Sequence, residues 1–257
     1  MTTTTFRNIE RIVPAKPNSI GTGFQSYDIG QQQLGSAIQP FLQLAHYFMS
    51  QPTFHEHSHQ GFSAVTYMFE DSEGSFFNED NQGDRSMIHP SDLHWTQAGL
   101  GIRHNETPTE PGKICHGIQM FVDLPLVEKS LPGQAFHLSA AQIPHYETAT
   151  GAKVRVVVGS ANGVTSPLNI TTKIGFLDAI LPANTSINHE IAARESAFIL
   201  VIKGSGYAEI NSPKEMLRDR QIFQAQDAIM FANEGDEISI QAGAEGLQYV
   251  LCLGQPI

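Results

Sequence analysis

The sequence predicts an all-β protein built from two similar barrels. Short runs of β-branched and aromatic residues recur between clusters of Gly, Pro, Asn and Asp, the spacing of an antiparallel sandwich or barrel. No segment of the second half carries a long apolar stripe at helical period. The two halves also echo one another: Phe69–Gly74 is matched by Val201–Gly206, and Met87–Asp92 by Phe223–Asp227, roughly 130 residues apart in both places. A duplicated double-stranded β-helix, a jelly-roll barrel present twice, explains the echo economically. The expected division is 1–135 for the first barrel and 136–257 for the second.

Pro14–Gly23 has two prolines and two glycines among small polar residues, which predicts an irregular arm. Phe41–Met49 (FLQLAHYFM) alternates as a strand does. Phe62–Phe69 is the next strand, ending in turn material at Glu70–Gly74. After Ser75–Phe77, the composition of Asn78–Asp84 predicts a loop. Two strands then flank the turn at Pro90–Asp92, and Ile118–Leu124 completes the half. A short helical turn is expected around Ser139–Gln142, in a connector. The second half is expected to hold strands at Val154–Val158, Leu168–Ile170, Ile174–Leu181, Ser196–Ile202, Tyr207–Ile210, Ala228–Phe231, Glu237–Ile240 and Leu247–Leu253.

With 26 acidic against 15 basic residues, the net charge is −11. A polyanion would be repelled, which argues against direct nucleic-acid binding. The two cysteines, Cys115 and Cys252, form no Cys-x-x-Cys. A Cys115–His116 nucleophile is disfavoured because neighbours in a strand face opposite ways. The N-terminus has no apolar core of a secretory signal, and no stretch is long and apolar enough to span a bilayer. The expectation is a cytoplasmic, monomeric protein.

Ten of the eleven histidines, all but His189, precede residue 150. Residues i and i+2 of a strand share a face, so His57 and His59 form one convergent pair and His104 and Glu106 another. Three imidazole nitrogens and one carboxylate suit a divalent first-row transition metal. His55–His57 has the same spacing. The pair His57–His59 is preferred because Gly61 follows it, where close backbone approach is expected. His46 and His94 lie outside any pair, and Phe54, Phe62 and Trp95 are candidate walls of an aromatic pocket. Glu106 is the expected proton acceptor.

His57–Tyr67 (HSHQGFSAVTY), Pro90–Glu106 (PSDLHWTQAGLGIRHNE), Gly117–Pro125 (GIQMFVDLP) and Gly159–Pro167 (GSANGVTSP) together resemble the pirin family of the cupin superfamily. The resemblance implies a bicupin with one metal, in the N-terminal barrel, held by His57, His59, His104 and Glu106. It implies iron, Fe(II), as the resident metal, with Mn, Ni, Co, Cu or Zn as alternatives. Some members are similar to quercetin 2,3-dioxygenases, which open the flavonol ring with O2 and release CO. Others are redox-sensitive regulators that bind a protein partner. The chain departs from the family pattern at Gln60-Gly61-Phe62-Ser63, Ser91 and His94.

Overall fold

The computed structural model describes residues 5–208 and 221–255. They form two compact units, one of residues 16–32 and 39–143, the other of 5–15, 33–38 and 144–255. Both are antiparallel β structures.

The first unit has a seven-stranded sheet in the order Gln134–Leu138, Leu93–Gln97, Phe62–Met68, Cys115–Asp123, Phe41–Met49, Phe24–Gly30 and Lys16–Ile20. A second sheet of four strands runs His57–His59, Ile102–Pro108, Phe76–Asp80 and Arg85–Ile88. Phe24, Tyr47, Met49, Met68, Phe76, Ile88 and Cys115 pack into an apolar cluster within it. The expected irregular arm is in fact the edge strand Lys16–Ile20, where the two prolines and glycines are tolerated at or beside a sheet margin. The expected loop from Asn78 begins as strand, since Asn78 is fully buried and paired opposite Glu106. Ser139–Gln142 is a turn, closed by the Gln142 N–H donating to the Ser139 carbonyl at 2.8 Å, with no helix.

The second unit is a nine-stranded sheet around the long strands Ser196–Ala208 and Glu237–Gly254. Each fuses two strands expected separately, although residues 209 and 210 lie outside the described residues. Leu168–Ile170 is not a strand. There Pro167 supplies no N–H, and the Ser166 hydroxyl both donates to the Val157 carbonyl at 2.8 Å and accepts the Leu168 N–H, which commits the segment to a turn.

Residues 5–15 belong to this unit, not to the barrel that follows them in sequence. Ile9–Pro14 pairs with Asp227–Phe231, Ile12 opposite Ile229 and Val13 opposite Ala228. The buried Arg7 guanidinium donates to the carbonyls of Glu195, Ala192 and Gly235 and fixes the start of the strand. Among the described residues, no helix is long and apolar enough to cross a membrane.

His189 is buried here, with Nε2 2.6 Å from the Tyr249 hydroxyl. Burial pushes its pKa down to about 4. An unfolded histidine titrates near 6.5, so between those values the unfolded chain holds a proton that the folded chain does not. The stability due to the neutral His189 is present above that range and is lost as the pH falls through it. Urea titrations at pH 7 and pH 4 should show about 3 kcal/mol less stability at pH 4 from this group, and His189→Gln should flatten that part of the profile.

Candidate metal centre

The strand His57–His59 lies against Ile102–Pro108 in antiparallel register, with His57 opposite His104 and His59 opposite Ile102. Strand alternation puts His57, His59 and His104 on one face, and one ring nitrogen from each lies within 4.8 Å of the others. His59 Nε2 and His104 Nε2 are 3.1 Å apart. The turn that returns the chain into Phe62–Met68 needs Gly61 for its conformation, φ +78°, rather than for close approach: a Cβ there would meet nothing nearer than Lys129 Cδ at 4.0 Å.

Two of the imidazoles have their tautomer fixed from behind. His104 Nδ1–H donates to Asn78 Oδ1 at 3.0 Å, and the Asn78 amide nitrogen donates in turn to Asp84 at 2.8 Å, which sets the orientation of the amide. His57 Nδ1–H donates to the His55 carbonyl at 2.9 Å. Both rings therefore present the Nε2 lone pair, as a ligand must. Burial, then the neighbouring imidazoles, push the pKa of His59 and of His104 down to about 4, so both are neutral at pH 7.

Glu106 shares the face of His104 and lines the same cavity, but its carboxylate is outside the mutual 4.8 Å group of nitrogens. Its Oε2 accepts the Thr66 hydroxyl at 2.7 Å, and Thr66 also sits 3.0 Å from the side-chain amide of Gln119. Burial raises the Glu106 pKa, while His94, the Thr66 hydrogen bond and His57 pull it the other way.

The remaining candidates separate cleanly. His55 supplies a carbonyl and not a ring nitrogen. His46 pairs with His116, Nε2 to Nε2 at 2.7 Å, and does not line the cavity. His94 is buried 3.9 Å from Asp84 and acts electrostatically on Glu106. Cys115 packs in the apolar cluster with its thiol pushed up to about 12 by burial, which rules it out as a nucleophile. Trp95 is fully buried and lines no part of the cavity, whereas Phe54 does, with Phe24, Phe76 and Phe121. The cavity has a volume of about 260 Å³. Asn78, Tyr47, Ser26 and Asp28 are site residues that motif spacing does not mark. The alternation of polar residues along Phe24–Gly30 is the signal that could have found the last two.

In the other unit the corresponding ladder pairs His189 with Ile238 and Ile187 with Ile240. Apolar side chains stand where the first unit has His104 and Glu106, and the single imidazole is turned to Tyr249.

A sequence model of the family described as Pirin matches residues 24–122. The human protein pirin is 30% identical over 89% of this chain and 76% of its own length. Among solved structures, a quercetin 2,3-dioxygenase from Acinetobacter baumannii superposes with a TM-score of 0.84 at 22% identity, covering 98% of this chain and 88% of that one. A bacterial pirin from Escherichia coli, in complex with nickel(II), superposes with a TM-score of 0.71 at 17% identity, covering 96% of this chain and 100% of that one.

Proposed function

The chain belongs to the pirin family and folds as a bicupin, and from these premises we propose that it is a metal-dependent dioxygenase acting on quercetin-like flavonols. The observation that carries the reading is the set of His57, His59 and His104 nitrogens turned into an aromatic-walled cavity that Glu106 also lines. The donor set fits a divalent transition metal, Fe(II) first, with Glu106 within the same cavity as a fourth ligand or as a base. A bound metal supplies a Lewis acid and a template for dioxygen there.

The rest is the work of the chain's own residues. Phe24, Phe54, Phe76 and Phe121 give a planar ring apolar surface and keep water from it. Glu106 accepts the proton of the flavonol 3-hydroxyl, with its Oε2 held in place by Thr66. The deprotonated 3-hydroxyl and the 4-carbonyl then face the three imidazoles.

The test is anaerobic reconstitution with Fe(II), addition of quercetin, then admission of oxygen while absorbance and carbon monoxide are followed. Flavonol loss with carbon monoxide release, absent in His59→Ala, is the expected result. A metal-loaded protein that leaves quercetin intact with Fe, Mn, Ni, Co and Cu would sink the proposal.

One observation favours a second reading, a metal-responsive regulator with a protein partner. Leu100, Leu126, Val127 and Leu131 are exposed on neighbouring segments joined by the Leu100 N–H donating to the Leu131 carbonyl. A protein that binds metal, spares every flavonol, and loses a partner on Leu126→Asp would establish it.

A further inference from the structure

One wall of the cavity is built by Lys16–Ile20, Phe24–Gly30 and Phe41–Met49. Its inward residues include Ser26 and Asp28 on one strand and Gln43, Ala45 and Tyr47 on the next. Asp28 stands directly opposite Ala45, and Ser26 opposite Tyr47. The alanine methyl leaves space over the Asp28 carboxylate, and Gln43 and Tyr47 flank it diagonally.

The polar atoms of this wall are only partly satisfied by the protein. Asp28 Oδ2 accepts from the Asn18 amide at 3.4 Å, a long contact. Asp28 Oδ1, Ser26 Oγ and Tyr47 Oη are buried with no hydrogen-bond partner among the described residues. Ser26 and Tyr47 are only 2% and 3% exposed. Gly117 leaves room for the Tyr47 hydroxyl, since a Cβ at that position would lie 2.6 Å from it and 2.2 Å from the Tyr67 carbonyl oxygen. Buried polar groups are normally paired, so three orphans on one cavity wall point to a ligand that pairs them. Among the described residues, no Lys or Arg lines the cavity, whereas Asp28 and Glu106 both do. An organic anion would meet carboxylates there, while a neutral ring bearing hydroxyl donors meets acceptors.

Resting on the flavonol reading above, we propose that Asp28, with Ser26 beside it, is the specificity-determining acceptor for a ring hydroxyl remote from the metal-binding edge. The cavity thereby selects neutral polyhydroxylated flavonols over bare ones.

Quercetin and 3-hydroxyflavone test this, because both present the same 3-hydroxy-4-carbonyl edge and only quercetin carries further hydroxyls. Both are titrated anaerobically into Fe(II)-loaded wild type, Asp28→Ala and the near-isosteric Asp28→Asn, following the flavonol absorbance. Asp28→Ala should weaken quercetin by roughly 10- to 100-fold, the loss of a hydrogen bond to a charged group, and leave 3-hydroxyflavone within about twofold. Asp28→Asn, which keeps an acceptor but not the charge, should fall between. Parallel weakening of both flavonols, or no change in either, overturns the proposal. Oxygen admitted to the same samples separates it from the function it rests on. Asp28-dependent quercetin binding without consumption supports the inference while the dioxygenase reading fails. Consumption of both flavonols with no dependence on Asp28 overturns the inference and leaves the dioxygenase standing.

Discussion

His104→Ala is expected to strip the protein of its metal. His104 is the central member of the triad: it faces His57 across the ladder and its Nε2 lies 3.1 Å from that of His59. Its loss leaves two imidazoles on a single three-residue strand, with only Glu106, outside the close group of nitrogens, to complete a donor set. Elemental analysis after Fe(II) or Ni(II) loading and desalting should find metal in wild type and almost none in the variant. Asn78→Ala gives a graded control. Removing the acceptor of His104 Nδ1–H releases the tautomer and should weaken metal binding by roughly 10- to 100-fold while leaving all three imidazoles in place. Full metal content in His104→Ala would show that the triad is not the binding site.

Two rules bring these residues together, although spacing alone does not choose His57–His59 over His55–His57 and the close approach expected at Gly61 is absent. Alternation along a strand put His57 with His59 and His104 with Glu106, and antiparallel register then set His57 against His104. Alternation says nothing of depth along the cavity, and the carboxylate indeed lies beyond the close group of nitrogens. Asn78 was hidden by its neighbours, since the run Asn-Glu-Asp-Asn-Gln-Gly-Asp has the composition of a turn. Burial against His104 and Asp84 makes it a strand residue instead, so tertiary contacts override local preference. Ile9–Pro14 was unreadable for another reason: its partner strand, Asp227–Phe231, is near the other end of the chain, and a pairing so remote leaves no local trace. The acceptor wall was obscured because Ser26 and Asp28 follow a segment whose prolines and glycines read as an irregular arm.

Glu106→Gln should lower kcat for flavonol oxidation by about 10²- to 10⁴-fold, the usual worth of a positioned general base, with KM little changed. Glutamine keeps the volume of the side chain and an oxygen for the Thr66 hydroxyl, but it cannot take a proton. The measurement also separates the two roles open to this carboxylate. A base that is dispensable for binding gives an inactive protein with its full metal content. A carboxylate that is chiefly a ligand gives a protein that has lost metal and activity together. The pH profile distinguishes them further. A base works only when deprotonated, so wild-type kcat should rise with pH through the Glu106 ionisation, which burial raises and a bound cation in the same cavity lowers. The glutamine variant should lose that acidic limb, because the group that titrates has been removed. An acidic limb that survives in Glu106→Gln would place the proton acceptor elsewhere and reduce Glu106 to holding the site together.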